Sequence, residues 1–172
     1  MGSGAKNRRI GHNTERYYAN KFREIGTERF KFCITSREGS KQHDDAKIDL
    51  INIPFNLQIK AGTQKNLSAG KELFNMECAI NMMFPKEDAV FTKPKLLVHY
   101  VPLGEGERLR TEEHERLYMS LTQYEKFKVM NPEFQYTSIK EARMEHYTSE
   151  YRTIVSMSFE VFKRDIILKH YI

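Results

Sequence analysis

Glu15, Asp49, Gln58 and Lys60 are the side chains whose types and spacing could carry chemistry. Gln58 and Lys60 follow Asp49 by nine and eleven residues within the stretch KIDLINIPFNLQIK. Hydrolysis of a phosphodiester is helped by a hard cation that polarises the phosphoryl oxygen, and Mg2+ prefers carboxylate, carbonyl and water oxygens. Asp49 can bridge metal ions, Glu15 can hold one directly or through water, and the amide oxygen of Gln58 can take a carboxylate's place. Lys60 can orient the attacking water, help deprotonate it, or stabilise charge on the phosphate. The set predicts a Mg2+ centre in which Mn2+ can substitute.

Three neighbours compete for the same duty. Asp44 and Asp45 stand in a polar stretch beside His43 and read as a solvated charge cluster, although Asp45 becomes the rival metal acid if the strand begins earlier. His43 has no second His or Cys at ligand spacing, which argues against it as a ligand.

The elements that must position these residues follow from hydrophobic period. GHNTERYYANKFREIG places Tyr18, Phe22 and Ile25 at helical steps, with Asn13 or Thr14 as cap and Gly26 as stop, so Glu15 falls in the first turn at the edge of the buried face. RFKFCITS alternates Phe30, Phe32 and Ile34 and predicts a strand. SREGSKQHDDAK reads as a polar loop, KIDLINI as a strand, and Pro54 as a turn. FNLQIK alternates with Phe55, Leu57 and Ile59 on one face and Asn56, Gln58 and Lys60 on the other. The two runs predict a hairpin at the centre of a sheet.

Further on, SAGKELFNMECAINMMF carries Leu73, Met76, Ile80 and Met83 at helical spacing and stops at Pro85. Met76, Met82 and Met83 are expected in the core, and Tyr17 and Tyr18 against the sheet. PKLLVHYVPL and RLYMSLT predict strands around the charged loop GEGERLRTEEHER. TQYEKFKVMNPE predicts a helix capped by Thr122, RTIVSMSF a late strand, and SFEVFKRDIILKHYI a terminal helix capped by Ser156 or Ser158. The fold class is α/β or α+β.

A chain of 172 residues with 40% hydrophobic and 30% charged content suits a single domain, residues 1–172, with a real core. The formal charge of +5 suits a polyanionic partner without requiring one. Arg8, Arg9, Arg37, Lys41, Lys47 and Lys65 flank the candidate residues and are placed to neutralise phosphates. Cys33 and Cys78 form neither a zinc pattern nor a disulfide framework, which points to a reducing, cytoplasmic setting. No apolar run approaches the ~18 residues of a membrane span, and the opening MGSGAKNRRI has no apolar signal core.

Over about a third of its length the chain resembles the PD-(D/E)XK nuclease superfamily, and within it the Holliday junction resolvases of archaea and phages. The resembling stretches are GHNTERYYANKFREIG, CITSREGSKQHDDAKIDL and NLQIKAG. The resemblance implies a restriction-endonuclease-like core, a mixed central sheet flanked by helices. It gives Glu15 to the N-terminal helix, Ser36, Arg37, Ser40 and Lys41 to a DNA-contacting loop, and Gln58 and Lys60 to the (D/E)xK strand. It implies a Mg2+-dependent DNA endonuclease acting on branched or four-way DNA as a homodimer, with the methionine-rich helix and the late strands as candidate dimer surfaces. Ile48 stands where the superfamily often has proline, and Gln58 where it usually has an acid. A neutral amide holds Mg2+ more weakly than a carboxylate. Two alternatives remain open: a sequence-specific endonuclease of restriction or homing type, whose base-reading side chains would come from the residues after Phe84, and a catalytically silent nucleic-acid-binding protein.

Overall fold

The computed structural model describes residues 3–62, 67–101, 114–141 and 149–172. Lys65, a candidate phosphate contact, and most of the charged loop at 104–116 lie outside them.

Helix α1 (Ser3–Arg23) leads into two short strands, β1 (Ile34–Thr35) and β2 (Leu50–Ile51), separated by the small helices α2 (Ser36–Gly39) and α3 (Lys41–Asp45). Strand β3 (Asn56–Ala61), helix α4 (Ala69–Met83) and strand β4 (Lys95–Tyr100) follow. The second half supplies β5 (Glu115–Ser120), α5 (Leu121–Met130), β6 (Ser138–Glu141), α6 (Ser149–Arg152) and β7 (Thr153–Ser158). It closes with α7 (Phe159–Phe162), a π-helical turn at Lys163–Ile167 and α8 (Leu168–His170). The seven strands form one mixed sheet in the order β1-β2-β3-β4-β5-β7-β6. β1, β2 and β3 form an antiparallel meander, β4 runs parallel to β3, and the remaining pairs are antiparallel.

The two faces of β3 go to different layers, as its alternation requires. Leu57 and Ile59 join Tyr18, Ala19 and Phe22 of α1, Leu96 and Val98 of β4, and Phe162 and Ile166 of the terminal helix in the largest core cluster. On the other face Leu73 of α4 packs with Leu97 of β4 and Ile154 of β7, and Met76 and Ile80 pack with Ile48 and Val90. Helices therefore flank the sheet on both sides. Burying one such apolar side chain contributes about 1.5–3 kcal/mol, so these contacts fix the strand far more firmly than its ladder alone.

Several expectations change. The hairpin of β2 and β3 forms, but it sits towards the β1 edge, and β4 takes the middle of the sheet. The strand expected over RFKFCITS shrinks to Ile34–Thr35, because residues 27–33 turn: Phe30 and Lys31 both donate to the carbonyl of Thr27. Phe30 and Cys33 are buried there, while Phe32 is exposed. KIDLINI pairs only at Leu50 and Ile51, since Lys47 and Asn52 both have φ of 62°, left-handed conformations that break a strand on either side. The expected polar loop holds α2 and α3 instead. Tyr17, Met82 and Met83 are exposed; Tyr18 and Met76 are fully buried. Ser120, not Thr122, caps α5, through the N–H of Gln123, and Ser158 caps α7 through that of Val161. Among the described residues no helix is long and apolar enough to cross a membrane, and both cysteines are free.

Candidate active site

Asp49 sits one residue before β2, at the corner where the meander meets β3. Its backbone is tied on both sides: its N–H donates to the carbonyl of Leu57 at 2.8 Å, and its carbonyl accepts from Ser36 at 2.9 Å. Its side chain turns onto β3, where Oδ2 accepts the Ile59 N–H at 2.6 Å. That bond places the carboxylate against the peptide joining Gln58 to Ile59. Burial pushes the Asp49 carboxyl up to about 7, with a further push from the negative charge of Glu15; the Ile59 N–H, Lys60 and Arg37 oppose it.

Gln58 and Lys60 project from β3 towards the α4 layer, as the strand alternation predicts. Gln58 is 4% exposed, and its Oε1 is buried without a hydrogen-bond donor. An unsatisfied buried amide oxygen costs about 1–3 kcal/mol, so its retention asks for an explanation. Lys60 Nζ lies 3.4 Å from Oε2 of Glu72, in the first turn of α4. Glu72 was not singled out by sequence; a carboxylate twelve residues after Lys60 carries no local pattern.

Glu15 reaches the corner from α1. It is 5% exposed, deeper than the edge position read from its helix, and its Oε2 accepts Arg37 Nε at 3.1 Å. Arg37 also lies 3.8 Å from Asp44, and its charge bears on Asp49. An open cleft of about 250 Å³ beside α1 is lined by His12, Glu15, Arg16, Thr35, Arg37 and Glu38, and so includes Glu15 but not Asp49, Gln58 or Lys60.

The candidate DNA contacts separate into groups. Arg8, Arg9, Lys41 and Lys47 are exposed, with Lys41 held by Asp45 at 2.6 Å. Ser40 caps α3, and its Oγ lies 2.7 Å from His43 Nδ1, so His43 serves this turn and stacks edge-on against Phe84. Ser36 is a correction: it is fully buried, its Oγ 3.4 Å from Asp44, and has no surface to offer a phosphate. Arg37 has a role the sequence did not give it, as the counter-charge of Glu15. Asp45 is exposed in its pair with Lys41, which leaves Asp49 as the carboxylate at the β3 corner.

The donor set suits a hard divalent cation. Asp49, Glu15 and the unsatisfied Gln58 Oε1 are oxygen donors of the kind such a cation takes, and a cation nearby would favour the charged form of Asp49. Among the described residues no three His, Cys, Asp or Glu side chains form a metal-holding group, so a cation here would depend on the neutral oxygen of Gln58. No family model, curated protein or solved structure gives a significant match to this chain.

Proposed function

We propose that this chain is a Mg2+-dependent DNA endonuclease of the PD-(D/E)XK type, most like a Holliday junction resolvase. The observation that carries the reading is the corner itself. A half-buried acid one residue before β2 is bonded to the backbone of a strand that presents a donor-less Gln58 oxygen and Lys60 two residues apart. The mixed sheet with helices on both faces supports it, since a mixed central sheet flanked by helices is what the resemblance implies.

In this reading Asp49 and Gln58 hold Mg2+, and Glu15 adds negative charge directly or through water. When bound, Mg2+ supplies Lewis-acid polarisation of the phosphoryl oxygen and neutralises developing charge. Lys60 faces the phosphate and the attacking water as a cation. Arg37, 46% exposed at the mouth of the cleft, together with Arg8 and Arg9 on α1, meets neighbouring phosphates. Symmetric cutting of a four-way junction needs two sites, which a homodimer with two-fold symmetry supplies.

Cleavage assays in Mg2+ on four-way junctions, linear duplex and single strands test the proposal. Paired nicks selective for the junction are expected. A unique duplex site would favour a sequence-specific endonuclease instead, and tight binding without cutting would favour a silent binder in which Gln58 marks lost chemistry.

A further inference from the structure

Lys60 lies near the end of β3, where the strand's own hydrogen bonds hold the backbone but not the side chain. Gly62 donates its N–H to Tyr100 at 2.9 Å, and its carbonyl lies 2.7 Å from His99 Nε2, so the strand end is tied to β4. The four-carbon lysine stem still carries about 2 kcal/mol of rotamer entropy, and an ammonium has no directional fork of its own. Something beyond the strand must decide where the charge rests.

Glu72 is the group that meets it. Ser68 caps α4 by accepting the Lys71 N–H at 3.4 Å, and its carbonyl accepts the Glu72 N–H at 3.1 Å. The adjacent Ala69 and Leu73 are buried against the sheet beside Leu97, which fixes the phase of that first turn. A carboxylate there is also favoured by the positive end of the helix dipole. Lys60 and Glu72 are 30% and 24% exposed. A pair this wet contributes at most about 1 kcal/mol to stability, so a stability role does not account for its place beside Asp49 and Gln58.

We propose that Glu72 is a positioning residue for Lys60, holding the ammonium from the α4 side so that it faces the phosphate as a fixed cation. The inference rests on the nuclease reading for its consequence, but the holding contact can be measured without it.

The test uses the full chain with Glu72→Gln and Glu72→Asp, and follows junction cleavage in Mg2+ beside the 15N ammonium signal of Lys60 in DNA-free protein, assigned with Lys60→Arg. Glu72→Gln is expected to lower kcat about tenfold with KM and the thermal midpoint unchanged, and Glu72→Asp to recover most of the loss. The Lys60 ammonium signal should be sharp in the wild type and broadened in Glu72→Gln. Cleavage by Glu72→Gln within twofold of wild type would overturn the proposal. So would a weaker Mn2+ affinity in Glu72→Gln, which would make Glu72 a ligand. If the wild type does not cut, the nuclease reading fails by itself and the ammonium signal decides: dependence on Glu72 upholds the holding contact, and independence overturns it.

Discussion

Helix α1 brings its side chains to two carboxylates, Glu115 buried and Asp49 half-buried, and they are treated in opposite ways. At Glu115 every charge is met. Lys21 donates to both carboxylate oxygens at 3.1 and 2.9 Å and to Glu160 at 3.0 Å, and the Tyr18 hydroxyl donates to Glu115 at 2.8 Å. Burial would lower the Lys21 ammonium, yet these bonds outweigh it and hold it above its ordinary range. At Asp49 the balance is left open: the acid is pushed up by burial and by Glu15, and on the strand it is bonded to, the Gln58 oxygen has no donor. A closed network of buried charge specifies a structure, while an open one keeps capacity for something that arrives later. Under the proposed function the Glu115 corner serves folding and the Asp49 corner serves chemistry.

The largest effect on cleavage that could break this assignment is at Lys60. Lys60→Ala should cut Mg2+-dependent DNA cleavage by a hundredfold or more, on the order of 3 kcal/mol in the barrier, with an unchanged circular dichroism spectrum. Next is the paired corner. Glu115→Ala leaves Tyr18 without an acceptor and Lys21 with only the exposed Glu160, and should cost about 2 kcal/mol in urea unfolding, whereas residual cleavage per folded molecule should match the wild type.

An effect of opposite sign is expected for Asp49→Asn without metal. The folded value of about 7 lies above the ordinary 3.8, so between them the folded protein keeps a proton that the unfolded chain has released. Wild-type stability should fall as pH rises from about 4 through about 7. Asn keeps an acceptor for the Ile59 N–H and has no charge to lose, so the variant should match wild type near pH 4. In EDTA at pH 8 it should exceed wild type by roughly 4 kcal/mol in unfolding free energy. Equal stability at both pH values would place Asp49 with the satisfied acids. The smallest effect lies at the rim: Arg9→Ala should weaken DNA binding a few-fold for all sequences and reduce the salt slope by about 1.

Much of this layout could be read from periodicity. The alternation of FNLQIK and the helical spacing of Leu73, Met76 and Ile80 are long, strong patterns, and both became the expected elements. The facing of Gln58 and Lys60 followed from the first of these. Patterns of four or five residues were too short to read. Ser40 sits in the sequence as the cap of α3, and Thr35 and Glu38 stand at capping spacing for α2, but polar composition favoured a loop. All four residues of β6 are exposed, so no apolar alternation marks it. The alternation of Phe30, Phe32 and Ile34 misled, because a turn can bury Phe30 and Cys33 without a strand. Contacts between distant residues left no local trace. The bonds from Lys21 to Glu115 span 94 positions and that from Arg37 to Glu15 spans 22, and both decide how charge is balanced around α1.

The central claim is that the unpaired acid at the β3 corner carries the chemistry. Its most direct test is Mg2+-dependent cleavage of a four-way junction by Asp49→Asn, run beside wild type and Glu115→Gln. The account predicts cutting by wild type and by folded Glu115→Gln, and none by Asp49→Asn despite its greater stability at pH 8. Cutting by Asp49→Asn at the wild-type rate would contradict it.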